Sequence, residues 1–340
     1  MRYHGHDTHS AIIVMKITAY ETRKDEKQVF MQLAEEHNLE ITYLEEALTA
    51  STVHLAAGTE GVTILGGKVD EEILRNLKEL NISYIATRTV GYNNIDLDSA
   101  KALGIHVSNA SYGPEGVADY TIMLILMSLR KYKQAMFRGN VNDYSLNGLQ
   151  GREMKDLTIG ILGTGRIGAR VIESLSGFGC KIIAYDTFQN HAVKHIAKYV
   201  TLEELYEQAD VISLHIPLFE STLQIINKES LSQMKDGVVL INCSRGELMN
   251  IPALIDAIEH EKIGALALDV FENEAGIYHF DRRTEIIKNR EMAYLRQFPN
   301  VIMTQHMAFY TDAAVQSMVN CGVTNLVSFI TTGTADNQII

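Results

Sequence analysis

Residues 158–186 read TIGILGTGRIGARVIESLSGFGCKIIAYD, and no other stretch restricts the possible folds as strongly. An apolar run, TIGIL, leads into Gly163, Gly165 and Gly168; an amphipathic segment follows, then a second apolar run, KIIAY, ending in Asp186. The pattern predicts a strand, a tight turn, a helix and a parallel strand. Gly163 permits the turn, and Gly168 permits close packing of helix on strand. Gly165 lets backbone approach a ligand, while the helix start offers free N–H groups and positive dipole to phosphates. Three glycines alone are weak evidence. Strand, helix, second strand and an acid at Asp186, 18 residues after Gly168, together point to a dinucleotide, because the acid suits the ribose hydroxyls. That carboxylate repels a 2′-phosphate, and Thr187, Phe188 and Gln189 supply no arginine after it, so NAD is expected rather than NADP.

The same alternation runs through the chain. From Met15 the strand-like runs are KITAYE, ITYLEE, VTILGG, YIATRT and HVSNA. Between them lie helical segments such as VDEEILRNLKEL, with Ile73, Leu74, Leu77 and Leu80 at helical spacing. A long helix is predicted from near Gly116 through VADYTIMLILMSLRKYKQ. It is apolar nearly all round, as expected of a helix buried between domains or subunits. FRGNVNDYSLNGLQGREMKD then reads as a connection or an extended arm. A second series starts at Thr158, with strands TIGILG, KIIAYD, AKYV, DVISLHI, GVVLINCS, GALALDV and VIMTQH. Continuous apolar runs of this kind belong to parallel sheets covered on both faces. The expected class is α/β, with two doubly wound parallel-sheet domains.

At 340 residues, room for about two domains agrees with this. The net charge of -12 argues against nucleic acid or an anionic membrane as partner. The longest apolar run, TIMLILMSL, is too short to span a bilayer, and no secretory signal pattern is present. Cys180, Cys243 and Cys321 are scattered and odd in number, which suits reduced thiols in the cytoplasm and no metal site. Residues 1–14, MRYHGHDTHSAIIV, are expected to be a flexible extension outside the fold, with a metal at His4, His6 and His9 as the weaker alternative.

Three polar residues fall just past apolar strands, where open parallel sheets bind ligands. Arg245 follows VVLINCS, Glu274 follows ALALDV, and His306 ends VIMTQH. Reduction of a 2-oxo acid needs a grip on the carboxylate, a proton donor for the carbonyl oxygen, and a group that keeps the donor protonated. Arg245 can grip a carboxylate bidentately, and His306 is a natural acid/base. A nearby Glu274 would stabilise the imidazolium and set its tautomer. Taken singly, each residue reads equally well as solvated or structural.

Eight collinear segments shift that balance: TRTVGYNNIDLDSAKALGI, GVADYTIMLILMSLR, GILGTGRIG, GFGCKIIAYD, DVISLHIPL, LINCSRGEL, GALALDVFENE and PNVIMTQHMAFYT. Over roughly residues 15–330 the chain resembles the NAD-dependent D-2-hydroxyacid dehydrogenases, chiefly their D-lactate and D-2-hydroxyisocaproate branch. The resemblance implies a Rossmann NAD-binding domain, 116–311, inserted in a flavodoxin-like substrate domain, 15–115 plus 312–340. It makes Arg245, Glu274 and His306 catalytic. Val90 and Gly91 become the carboxylate-binding loop, and Tyr112 a substrate-side residue. On the cofactor side it implies Arg166 and Ile167 at the pyrophosphate and Asp186 at the ribose. Ile216, Pro217 and Thr222 fall beside the adenosine, Cys243 and Ser244 beside the nicotinamide, and Asp269 at its carboxamide. Cys243 reads as a packing residue more readily than a redox thiol.

Two departures from the family pattern stand out. Gln305 replaces the usual proline before the histidine, and SYGP replaces AYSP. The implied reaction is reduction of a 2-oxo acid to its D-2-hydroxy acid, with pyruvate first and 4-methyl-2-oxopentanoate or phenylpyruvate next. Leu65 stands where some D-lactate enzymes carry a bulky aromatic, leaving room for a larger side chain. A non-catalytic NAD-sensing relative would lack the three catalytic residues, and a phosphoglycerate-type enzyme would need an added domain. A homodimer through the cofactor domain is expected, because the helix from Val117 to Leu129 has more apolar surface than one chain covers.

Overall fold

Strands built of Val, Ile, Leu and Ala lose free energy on either face if exposed, so they need a layer of helices on each side. In the computed structural model, which describes residues 14–340, they form two wholly parallel sheets. The chain up to Gly113 forms one compact unit together with Thr311–Ile340; Pro114–Tyr310 forms the other. The segment holding His4, His6 and His9 lies outside the described residues.

The first unit contains β1 (Met15–Ala19), α1 (Lys27–Glu36), β2 (Leu39–Tyr43), β3 (Gly61–Ile64), α2 (Glu71–Glu79), β4 (Tyr84–Thr87), α3 (Leu97–Ala102) and β5 (His106–Ser108). Its strand order is β2-β1-β3-β4-β5, the flavodoxin-like doubly wound order. Helix α2 follows its sequence signals: Asp70 caps the Ile73 N–H, and Ile73, Leu74 and Leu77 are buried. The C-terminal helix (Asp312–Thr332, α11 below) returns to this sheet. By length and composition it could cross a bilayer, yet Val319, Val323, Leu326 and Phe329 are fully buried in the unit's own core.

The second unit contains α4 (Glu115–Leu129), α5 (Tyr132–Gly139), β6 (Thr158–Leu162), α6 (Arg166–Leu175), β7 (Lys181–Tyr185), β8 (Lys198–Tyr199), α7 (Leu202–Gln208), β9 (Val211–Leu214), α8 (Lys228–Gln233), β10 (Val238–Asn242), α9 (Ile251–Glu259), β11 (Ile263–Leu268), α10 (Arg290–Gln297) and β12 (Val301–Met303). The order β12-β11-β10-β9-β6-β7-β8 is the Rossmann order with one added edge strand. It reverses between β6 and β9, which opens a crevice at the C-terminal end of β6.

The expected long helix divides in two. Lys131 adopts a left-handed φ of 51°, and α5 starts afresh beyond it. The cause is distant in sequence: the Arg152 N–H bonds the Leu129 carbonyl at 3.1 Å, and a Cβ on Gly151 would lie 2.6 Å from that oxygen. The returning chain thus caps α4. Ala118, Ile122, Leu124, Ile125 and Leu129 are buried inside the second unit's core, and of the helix's large apolar side chains only Met123 and Leu126 are more than a third exposed. The uncovered apolar surface lies instead on the following arm, at Phe137, Val141, Tyr144 and Leu146.

An ion pair holds the first unit's C-terminal sheet edge. Arg88 and Glu26 are both 0% exposed, with Nε 3.0 Å from Oε1. Arg88 Nη2 donates to the Tyr20 carbonyl at 2.9 Å and the Glu21 carbonyl at 3.1 Å, and the guanidinium lies 5.3 Å from the Phe30 ring centroid. Gly322 of α11 sits against its stem; a Cβ there would meet Arg88 Cγ at 2.7 Å. Removing Glu26 strands the Arg88 charge in the core. We expect Glu26→Ala to cost about 3–5 kcal/mol, and Glu26→Leu with Arg88→Met to cost less than that single change. Urea unfolding of the three proteins measures both; equal stability of Glu26→Ala and wild type would contradict the account.

Candidate active site

The turn after β6 has the form its glycines require. Gly163 has φ +96°, and a Cβ on it would lie 2.5 Å from the His215 carbonyl oxygen. A Cβ on Gly168 would lie 2.0 Å from the Gly163 carbonyl oxygen, so only glycine lets α6 start this close to β6. Around Gly165 a Cβ would meet nothing within 4 Å. The turn therefore presents open space at the first residues of α6, Arg166 and Ile167, as a pyrophosphate needs. Asp186, just past β7, accepts from the Thr164 N–H at 2.6 Å and the Phe188 N–H at 3.0 Å, and Thr164 is braced by Tyr199 and Asn190. Thr164 Oγ1 at 3.0 Å and Thr187 Oγ1 at 3.4 Å also donate to this carboxylate, so a ribose diol would take the place of these two side-chain hydroxyls. These residues fit a dinucleotide.

Beside this turn lies the end of β9. Ile216 packs on Gly163, where a Cβ would lie 2.7 Å from Ile216 Cγ2; Thr222 accepts the Phe219 N–H and donates to the Pro217 carbonyl, each at 2.8 Å. His215 bonds Ser213 through Nε2 at 2.8 Å, and its Nδ1 is buried without a partner among the described residues. Burial pushes this imidazole down to about 4, so it is neutral near pH 7.

Arg245, Glu274 and His306 follow β10, β11 and β12, adjacent parallel strands of one sheet. His306 Nδ1 bonds Glu274 Oε1, and Glu274 Oε2 accepts the Phe271 N–H at 2.7 Å. The glutamate is thus locked to its own turn while it holds the imidazole, and no group among the described residues is bonded to His306 Nε2. His306 itself has φ 51°. Its N–H donates to the Asp269 carbonyl at 2.7 Å, and its carbonyl accepts from His279 Nε2 at 3.1 Å. The Asp269 carboxylate is 0% exposed and takes Thr304 Oγ1 at 2.6 Å, the Met307 N–H at 2.9 Å and the Ala308 N–H at 2.8 Å.

Arg245 donates only to the Ser244 carbonyl, at 2.7 Å, and no carboxylate among the described residues pairs with it. Ser244 is tied to Leu214, and Asn242 to the Arg245 carbonyl, each at 2.8 Å. Cys243 faces Thr121. Burial first, then the Asp269 carboxylate, pushes its thiol up to about 12, which suits packing and not redox chemistry. In the other unit, the Val90 carbonyl accepts Asn109 Nδ2 at 2.8 Å and the Gly91 carbonyl accepts Thr89 Oγ1 at 2.6 Å. No group among the described residues accepts from the Val90 or Gly91 N–H, which leaves two donors for an anion. Tyr112 lies after β5 in the same unit.

Two residues at this site carry no signal that pattern reading uses. His279 is 27 residues from His306, yet their rings lie 6.1 Å apart. Gly246 follows Arg245, and a Cβ on it would lie 2.2 Å from the Phe271 carbonyl carbon. That approach seats the 271–274 turn against the Arg245 turn. Gly246→Ala is therefore expected to push the Glu274 turn away, cost about 1–3 kcal/mol and depress turnover well beyond its effect on folding. Thermal melts and kcat measured together test this; wild-type kcat in a folded variant would contradict it.

Residues 122–308 match the family model "D-isomer specific 2-hydroxyacid dehydrogenase, NAD binding domain". An aromatic 2-oxoacid reductase of Clostridium sporogenes is 43% identical over 95% of this chain and 99% of its own. The D-lactate dehydrogenase of Escherichia coli is 35% identical over 96% and 100%. Among solved structures, a D-2-hydroxyisocaproate dehydrogenase superposes with TM-score 0.87 at 32% identity, over 96% of this chain and 99% of that one. With the NAD-binding turn and two parallel-sheet units in place, the chain belongs to the D-isomer specific 2-hydroxyacid dehydrogenases, as an oxidoreductase.

Proposed function

We propose that this enzyme reduces a 2-oxo acid to its D-2-hydroxy acid, with Arg245, Glu274 and His306 as the catalytic set. The observation that carries the reading is the His306 imidazole, 31% exposed, bound at Nδ1 by Glu274 and open at Nε2. NADH, when bound, supplies the hydride. Glu274 accepts a hydrogen bond from Nδ1–H and so fixes the tautomer, and it stabilises the positive charge of the protonated ring. His306 Nε2 then gives its proton to the substrate's carbonyl oxygen. Arg245, with no carboxylate of its own, takes the substrate carboxylate in two parallel hydrogen bonds. The free Val90 and Gly91 N–H groups add donors for that anion, and Tyr112 lines the substrate side. Asp186 takes the adenosine ribose, Asp269 the carboxamide, and Ser244 and Cys243 the nicotinamide side.

For the substrate, we favour a bulky apolar side chain over the pyruvate that the family resemblance puts first. Leu65 in place of an aromatic ring supports this, as does 43% identity to a protein named for aromatic 2-oxo acids. A panel of pyruvate, 4-methyl-2-oxopentanoate and phenylpyruvate with NADH, its products resolved by chiral chromatography, tests the reading. The expected result is a D product and a kcat/KM for phenylpyruvate about 10-fold or more above pyruvate. An L product, or no turnover, overturns it. His306→Gln should abolish turnover, Glu274→Gln should lower kcat by on the order of 10²-fold, and Arg245→Lys should chiefly raise KM.

A cytoplasmic homodimer completes the proposal. Three free thiols support the compartment. The arm supports the dimer, with Phe137 70%, Tyr144 78% and Leu146 83% exposed, more apolar surface than a lone chain usually leaves in water. Light scattering at micromolar concentration should give twice the chain mass, and Leu146→Glu with Phe137→Glu should halve it; a monomeric wild type refutes this part.

A further inference from the structure

One carboxylate at the C-terminal edge of the smaller sheet has no part in the chemistry above. Glu21 lies two residues past β1, with its backbone in the left-handed region at φ 54°. Its Oε2 accepts from three successive N–H groups, Leu65 at 2.9 Å, Gly66 at 3.0 Å and Gly67 at 3.2 Å. Convergent backbone donors of this kind form an anion-binding nest, and here the protein's own side chain is the anion. Gly67 has room for this, since a Cβ there would lie 3.6 Å from both Glu21 carboxylate oxygens.

Polar side chains at the end of β4 and just after it link the nest to the Val90–Gly91 loop. With the Thr89 proton on the Gly91 carbonyl, Thr87 Oγ1 has one proton for two acceptors, Thr89 Oγ1 at 2.7 Å and the Leu65 carbonyl at 3.2 Å. Thr89 holds the Gly91 carbonyl. Asn94 Nδ2 donates to the Gly67 carbonyl at 2.7 Å, and the Asn94 carbonyl accepts the Val69 N–H at 2.8 Å. Strands β3 and β4 are neighbours, so their C-terminal ends present the nest and the candidate carboxylate loop along one edge. Leu65 belongs both to the nest and to the space assigned to the substrate's side chain.

We propose that Glu21 is a specificity-determining residue: it fills an anion nest beside the substrate side chain and thereby excludes 2-oxo acids that carry a second carboxylate. The inference rests on the 2-oxo acid reading above. A distal carboxylate entering this edge finds the three N–H groups taken and a negative charge facing it. An apolar side chain meets neither penalty. Taking Glu21 away frees three donors that converge on one point, and a substrate's second carboxylate can then occupy it.

Glu21→Gly tests this, because glycine adopts the positive φ without strain. Glu21→Gln is its control, since the amide oxygen still fills the nest without charge. Steady-state rates are read with phenylpyruvate and with 2-oxoglutarate. In Glu21→Gly, kcat/KM for 2-oxoglutarate should rise relative to phenylpyruvate by about 10-fold or more, and Glu21→Gln should show a smaller change. Equal loss on both substrates in Glu21→Gly would make Glu21 a structural prop and overturn the proposal. Sulfate supplies a readout independent of turnover. It should raise the melting temperature of Glu21→Gly in a saturable manner and by more than that of wild type or Glu21→Gln, which offer sulfate only the cofactor turn, Arg245 and the Val90–Gly91 loop; an equal sulfate effect in all three proteins also overturns the nest. Failure of wild type on every 2-oxo acid would instead defeat the proposed reaction, and the sulfate comparison distinguishes the two.

Discussion

The buried carboxylate of Asp269 is the constraint on which the C-terminal end of the larger sheet depends. Taking a carboxylate out of water costs several kcal/mol unless its oxygens are fully bonded, and Thr304, Met307 and Ala308 supply three donors. The backbone of the same residue accepts the His306 N–H. These bonds hold a non-glycine residue in left-handed backbone, a conformation that costs about 1–3 kcal/mol when nothing enforces it. The strain turns the imidazole so that Nδ1 reaches Glu274, and His279 restrains the carbonyl from the other side. The orientation of the His306 imidazole is thus set in part by a carboxylate bonded to the backbone around it and not to the ring.

Close backbone approach is the second device, and it recurs. Gly168 brings α6 down onto the Gly163 carbonyl, and Gly246 brings the Phe271–Glu274 turn onto the turn of Arg245. In each case a ligand-facing element lies nearer its neighbour than any side chain would permit. Functional groups contributed by different strands then converge without long, mobile linkers, which matters because small errors in position cost large factors in rate.

The smaller unit solves a related problem with charge. Arg88, wholly buried, ties the carbonyls of Tyr20 and Glu21 at the end of β1 to the end of β4, and Glu26 neutralises it. Glu21 then reaches across to the turn after β3. Three strand ends are therefore linked by charged groups bonded to backbone, a stiffer arrangement than apolar contact alone, since each bond has a direction.

What the sequence determined by itself was everything carried by short-range pattern. Apolar runs of four to six residues specified both parallel sheets, helical spacing specified α2 and α6, and the glycines around Thr164 with Asp186 marked the cofactor turn. Arg245, Glu274 and His306 could be named from their places after strands, with Glu274 expected beside His306, but not the bond from the Phe271 N–H that locks the glutamate to its own turn. The break at Lys131 was invisible because its cause, the returning Gly151–Arg152 segment, lies twenty residues on. His279, Gly246, the Arg88–Glu26 pair and the nest around Glu21 were equally hidden. Each acts through one distance to a residue remote in the chain, and periodicity encodes faces, not distances. Only folding brings such partners within hydrogen-bond range, where burial turns an ordinary glutamate or arginine into a group that must be bonded.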